Sequence, residues 1–430
     1  MGTATLPIRD TVIFILFFAS LFLSLRNPVH GVILYALVSY LNPHRLTWGP
    51  AYNLQMALGI AVCTIVGIVF YKGEKKLVVT NVLICMLLLW GWASMGWFNS
   101  LNPIEYVVEW KRFTKIILMT VITVVLIKNK KDLRYLYLVI IFSIGFYDIK
   151  GVIWFLKGGT GMLAGPENSF FEGNNGLGMA INMVWPLFLM MARIEKNKWI
   201  RRALLVFFFV TPLGIIAGDS RASALTLVAT AFFLIMQEKK KFYYLTASLI
   251  IIIATIPFVP ETWYQRMETI GNYTADRSAM GRINAWQACW NIAKDNPLVG
   301  GGFRAMTPET FYRYAPNPED FHDAHSIYFE SLGETGFPGF FLFLCLLGST
   351  SVSLIRTSRQ SKQLQDGVFL NNLAKGTLLG LAGYMVNGAF VGMAFFDLLY
   401  QYVGLSISLK IILEKEKSNA SLNEKIAIAS

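Results

Sequence analysis

The feature that most constrains this chain is the recurrence of long apolar runs separated by short basic joints. "LYLVIIFSIGF" at 136–146 and "LTASLIIIIATIPFV" at 245–259 are two of them. A helix that crosses a bilayer takes roughly 17–25 such residues, and in hydrocarbon its backbone N–H and C=O groups must find their partners within the helix. Only 15% of the residues are charged, against about 25% in a soluble domain. The chain therefore reads as an all-α polytopic membrane protein.

The net charge of +12 does not describe a nucleic-acid surface, because of where it lies. The cations cluster in "KGEKK" at 72–76, "KNKKDLR" at 128–134, "RIEKNKWIRR" at 193–202, "QEKKK" at 237–241 and "RTSRQSK" at 356–362. Short basic loops between apolar segments mark the cytoplasmic face. Membrane lipids are the expected surroundings, and no nucleic-acid partner is expected.

With those joints on one side, membrane helices are predicted near 53–71, 77–98, 113–127, 133–156, 174–193, 202–217, 222–236, 243–259, 326–355, 369–390 and 394–413. The runs 11–25 and 29–41 are separated by "RNPVHG", which breaks helices, and make one broken crossing or two short ones. About 12 or 13 transmembrane helices follow. Residues 1–259 then hold transmembrane helices with short loops, 260–325 a helical loop subdomain on the outer side, 326–413 the C-terminal membrane helices and 414–430 a polar, disordered cytoplasmic tail. No internal repeat is visible. The first run lacks a small-x-small cleavage site and reads as a retained helix rather than a signal peptide. Cys63, Cys85, Cys289 and Cys345 form no CxxC pair, so neither a disulfide framework nor a thiolate metal site is indicated.

Three stretches fall on the outer side: 158–175, the turn "GDSR" at 218–221, and 260–325. The last carries Arg266, Arg277, Arg282, Arg304 and Arg313 but only Lys294 among lysines. Within it, "SAMGRINAWQACWNIAKD" places Ile283, Trp286, Cys289, Trp290 and Ala293 at helical spacing, and "NPLVGGGF" ends that helix.

Arg221 opens the helix after "GDSR". A guanidinium at a helix N-terminus suits phosphate, although an ion pair with Asp219 or snorkelling to lipid phosphate would explain it equally. Arg282 lies beside Trp286 and Trp290, a charge for phosphate with rings for sugar faces, or else the edge of an interfacial aromatic stripe. Arg304 after "VGGGF" is a weaker third candidate, and "EGNN" adds Asn174 and Asn175. The chain has four histidines, two of them in "DFHDAHSIYFESLGETG" at 320–336. His322 and His325 are spaced i,i+3 and lack the HExxH pattern of a zinc helix; no acidic cluster suits magnesium. No metal or cofactor is expected. A histidine at a helix entrance suits a general base or is a solvated loop residue, and Glu330 and Glu334 follow on the next helix.

Three motifs, "GDSRASAL", "GRINAWQACWNIAKDNPLVGGGF" and "AHSIYFESLGETGFPGFFLF", resemble in order and spacing the O-antigen ligase and polymerase superfamily, most closely over 170–345. "NPHRLTWG" and "GPENSFFEGNNGLG" look closer to its exosortase-associated O-glycosylation ligase branch. The resemblance implies a glycosyltransferase C-like membrane fold in a bacterial inner membrane, with a periplasmic active site. It implies transfer of a glycan from undecaprenyl diphosphate to a hydroxyl of lipid A–core, inverting and without a metal ion. Carried over, Arg221 and Arg282 hold the diphosphate and His325 is the base. Arg304, Asn174, Asn175 and Glu334 stand as support, and His322, which matches no motif position, as support or bystander. The family often shows Asn after the motif histidine, where this chain has Ser326. A polymerase joining two lipid-linked glycans and a protein O-oligosaccharyltransferase share these features. A solute transporter would instead use ionisable groups within the helices, of which Asp148, Lys150, Lys375 and Asp397 are the examples here.

Overall fold

The computed structural model describes residues 7–159, 163–167, 169–238, 241–242, 246 and 277–429. The helix expected over 243–259, the start of the loop subdomain and the Arg266 and Arg277 side chains lie outside the described residues. Among the described residues the regular elements are helical, with only isolated bridges from Gly165 to Glu172 and Gly173. They run α1 (Ile8–Arg26), α2 (Pro28–Leu41), α3 (Met56–Phe70), α4 (Asn81–Met95), α5 (Pro103–Leu126), α6 (Lys130–Leu156), α7 (Gly173–Ile194), α8 (Lys198–Ala217) and α9 (Arg221–Gln237). Then come α10 (Arg277–Asp295), α11 (Pro308–Tyr314), α12 (Ile327–Ser361), α13 (Val368–Asn387) and α14 (Asp397–Ala429). Among the described residues six helical segments are long and apolar enough to cross a membrane, and α2, α3 and α9 are shorter apolar helices. The architecture is that of a polytopic membrane protein.

"RNPVHG" resolves into two helices. Asn27 leaves the helical region, its side chain accepts from Val29 N, and Pro28 starts α2. Proline suits a first helical position because its missing N–H has no intrahelical partner there. Both helices pack on each other and on α3.

The centre of the bundle is α7, with 83% of its apolar window buried. It packs most closely on α13, where Gly376, Gly380 and Gly383 line one face; a Cβ on Gly380 would lie 2.2 Å from the Met183 carbonyl. Small residues let helix backbones approach where no water drives them together. A proline inside α8 frees a carbonyl that a side chain then fills. Pro212 cannot donate to Phe208, and the Trp185 indole does so instead at 2.9 Å. Buried Asp148 accepts from Thr211 at 2.6 Å and buried Asp397 from Tyr40 at 3.0 Å, so both carboxylates fasten neighbouring helices.

The basic joints gather at one end of the bundle. Lys128 pairs with Glu74, Arg134 with Glu195, and Arg193 with Glu238. From the C-terminal helix, Glu416 pairs with Lys130, and Lys417 donates to Gln360. Lys128 and Glu195 are buried members of these pairs, and together the pairs locate this end.

They also correct the expectation for the tail. Residues 414–430 were expected to be disordered, whereas α14 continues without a break to Ala429. The segment "KIILEKEKSNASLNEKIAIA" holds no Gly or Pro, its good helix formers favour continuation, and Lys410–Glu414 and Lys415–Glu74 contacts hold its first turns. A second correction concerns the span expected at 113–127, which starts ten residues earlier, at Pro103 capped by Asn102. That extension carries Glu109 and Arg112 toward the opposite end.

Candidate active site

At the end opposite the basic joints, a cavity of about 390 Å³ opens between α5, the start of α7, α10, the start of α12 and the segment 391–396. Its frame is a reciprocal fit between two of the motifs. In "GETGFPG", Gly336 has φ +67, so α12 breaks there. Pro338 cannot donate to Glu334, and Phe337 N turns instead to Pro297 O at 2.9 Å, which leaves the Gly333 and Glu334 carbonyls open. "VGGGF" fills both: Gly301 N donates to Gly333 O at 2.8 Å and Gly302 N to Glu334 O at 3.0 Å. Gly300, at φ +64, passes so close that a Cβ would sit 2.6 Å from Gly333 O. The Trp92 indole closes the joint on Leu298 O and Thr335 O. Three glycines and one broken helix thus hold the loop subdomain on the membrane helices.

His325 sits at the start of α12 with φ +41, one of four non-glycine residues at positive φ among those described. That backbone costs a non-glycine residue about 1–3 kcal/mol, and such strain concentrates at functional sites. Two bonds hold it. The Trp286 indole donates to Ala324 O at 2.8 Å, and Ile327 N donates to Gly388 O at 2.7 Å. Burial first, then the Arg282 guanidinium and His322, lower the His325 pKa from its ordinary 6.5, while Asp323 pulls the other way. The imidazole is therefore neutral near pH 7, the form a base requires.

Arg304 is a second strained residue, at φ +56. Its N–H donates to Glu334 Oε1 at 2.8 Å, and its guanidinium reaches Glu109 Oε1 at 3.0 Å. Glu330 Oε2 accepts Ala394 N at 2.8 Å, which pins the 391–396 segment over the cavity. Glu330 and Glu334, expected on the helix after the histidines, therefore hold backbone rather than the imidazole. On the other wall, Asn174 Nδ2 donates to Gly218 O at 3.1 Å and Asn175 Oδ1 accepts from Ser220 Oγ at 2.8 Å. Ser220 in turn caps α9 through Ser223 N, so "EGNN" positions the turn that carries Arg221.

His325, Arg304, Glu334, Asn174 and Asn175 all line the cavity. Arg221 and Arg282 are not in its wall; they flank it, Arg221 next to Ser220 and Arg282 within electrostatic reach of His325. His322 stands apart. Its ring lies over Gly281, where a Cβ would meet it at 2.5 Å, and Nδ1 faces Asp320 O at 3.1 Å. The two histidines of "HDAH" are thus split, and among the described residues no three His, Cys, Asp or Glu side chains converge as metal ligands would.

Of the apolar stripe Ile283, Trp286, Cys289, Trp290 and Ala293, only Cys289 and Ala293 are buried, together with Ala285, Ala288 and Ile292. Close approach decides this, since a Cβ on Gly333 would lie 3.2 Å from Cys289 Cβ and only small residues fit such a seam. Trp286 is also not free for a sugar face, because it stacks on Phe329 at 5.0 Å and 8°.

Sequence reasoning missed Glu109 and Arg112, and the apolar wall of Val391, Met393, Phe395 and Phe396. The first pair was legible as an i,i+3 Glu–Arg pair once α5 is started at Pro103. The wall was hidden at the junction of two predicted spans. Five carboxylates (Glu109, Glu172, Asp323, Glu330 and Glu334) and two guanidiniums (Arg112 and Arg304) line the cavity together with these aromatic and aliphatic groups.

Fold and site together define a polytopic helical membrane protein with a polar, partly apolar-walled cleft at one end. Residues 203–344, which carry Arg221, Arg282, Arg304 and His325, match the family model described as O-antigen ligase. Residues 8–196 match a family of unknown function (DUF5935). The cavity draws on both, Glu109, Asn174 and Asn175 from the first part and Arg304, His325 and Glu334 from the second. No curated protein matches the chain.

Proposed function

We propose that this protein is an O-antigen ligase. It transfers a glycan from undecaprenyl diphosphate to a hydroxyl of lipid A–core at the periplasmic face of a bacterial inner membrane. The observation that carries the reading is His325, held neutral on a strained backbone in the wall of the cavity and beside Arg282.

In the reaction, the His325 imidazole takes the proton of the acceptor hydroxyl as its oxygen attacks the anomeric carbon. The bond from that carbon to the diphosphate breaks on the opposite face, so the configuration inverts. Arg221 and Arg282 stabilise the negative charge that grows on the departing diphosphate, the electrostatic role that contributes most when donors are preorganised. The acid-rich wall repels a diphosphate but accepts hydrogen bonds from sugar hydroxyls, which assigns it to the glycan or acceptor, with the diphosphate on the arginine flank. The apolar wall of 391–396 suits a lipid-linked substrate.

The test is transfer in vitro from a lipid-diphosphate glycan, with lipid A–core, lipid-linked glycan and protein offered in turn. Product on lipid A–core alone is expected. Product only on a second lipid-linked glycan or only on protein replaces the ligase reading with polymerase or protein O-oligosaccharyltransferase, and no product on any acceptor removes the transferase reading.

A further inference from the structure

A second opening, unrelated to the cavity around His325, lies between α1, α6 and the 43–48 turn and has a volume of about 560 Å³. Its walls are apolar, with Ile8, Val12, Ile13, Leu46 and Phe146, yet Arg9, Arg45 and Lys150 also line it and no carboxylate does. Among the described residues none of the three cations is ion-paired. Arg9 lies over the Trp48 ring at 4.3 Å and Arg45 over Tyr52 at 4.4 Å. Asp10, next to Arg9 in the sequence, is buried behind the turn, where its Oδ1 accepts Ala51 N at 2.9 Å. Residues 1–6, "MGTATL", bring no acid either. His44, lowered to about 4 by burial and then by Arg45, adds no charge near neutral pH.

We infer that this groove binds an anionic glycerophospholipid, its phosphate held by Arg9, Arg45 and Lys150 and an acyl chain laid along Val12, Ile13 and Phe146. Trp48 and Ile8 are 83% and 84% exposed at its rim. An exposed tryptophan beside cations at the end of an apolar helix matches the level of lipid headgroups, and guanidinium forks match phosphate oxygens. The groove is at the same end of the bundle as the active-site cavity. Tyr147, one turn from Lys150, bonds Leu41 O and packs on Phe171 at 5.7 Å, and Phe171 abuts Gly176 at the cavity wall. A lipid bound there would stand in the leaflet that the cavity faces.

The full-length protein in detergent is titrated with phosphatidylglycerol and with phosphatidylcholine and read by native mass spectrometry, with inorganic phosphate as competitor. Wild type is expected to bind phosphatidylglycerol in preference to phosphatidylcholine, without displacement by millimolar phosphate. An R9Q/R45Q/K150Q variant is expected to bind it at least about tenfold more weakly, since each cation near an anionic lipid contributes about fivefold. Equal binding by the triple variant, equal binding of both lipids, or displacement by inorganic phosphate would each overturn the inference. Should the triple variant not fold, K150Q alone decides, because Lys150 is exposed on α6: a loss of about fivefold supports the site and unchanged affinity removes it.

Discussion

The Trp286 indole donates to the carbonyl of Ala324 at 2.8 Å, one residue before His325. A tryptophan that looked suited to a sugar face instead fixes the peptide from which His325 projects, and its stack on Phe329 ties α10 to α12.

W286F keeps an aromatic ring for that stack but loses the donor. The expected result is a lower kcat with little change in KM, and a stability loss of about 1 kcal/mol for one hydrogen bond. Steady-state kinetics with thermal unfolding checks it; a raised KM at unchanged kcat would return Trp286 to the sugar.

H325N should remove transfer while leaving the fold, because Asn tolerates the left-handed backbone better than most residues. Loss of a general base costs roughly 10²–10⁴-fold in rate. Full activity in H325N or H325A, at normal expression, would remove the base assignment.

The pH profile of kcat/KM follows the same group. A base whose pKa lies below its ordinary 6.5 stays deprotonated down to that pH, so the acid limb should fall below 6.5. Arg282 lowers this pKa and Asp323 raises it. R282Q should therefore move the midpoint up, and D323N should move it down, whatever each does to the plateau. Midpoints that stay fixed in both variants would mean another group titrates.

With the arginines assigned to the leaving diphosphate, transfer should persist in excess EDTA. Activity lost to EDTA and restored by Mg²⁺ would contradict that division of labour.

G336A should be strongly destabilising. Its φ of +67 is unfavourable for alanine by about 1–2 kcal/mol, and the new Cβ would lie 2.6 Å from Leu298 O. G91A, where a Cβ meets nothing within 4 Å, is the control and should be neutral or gain about 0.5–1 kcal/mol. Thermal unfolding of the two variants, side by side, makes the comparison.

Local pattern was enough for much of this protein. Apolar runs imply helices wherever a backbone must satisfy itself in hydrocarbon, and the basic joints that charge placed on one side meet in ion pairs at one end. The motifs pointed to His325, Arg304, Asn174, Asn175 and Glu334, all of which line one cavity. The sequence also announces that Pro338 leaves a carbonyl open, since a missing N–H is a property of one residue. Only the tertiary structure decided what fills it, the Gly302 N–H more than thirty positions earlier. The same holds for the small-residue face of α10, for Glu109 across the cavity and for the helical tail held by Lys130 and Gln360. In each case the deciding partner is distant in sequence, and packing geometry rather than periodicity selects it.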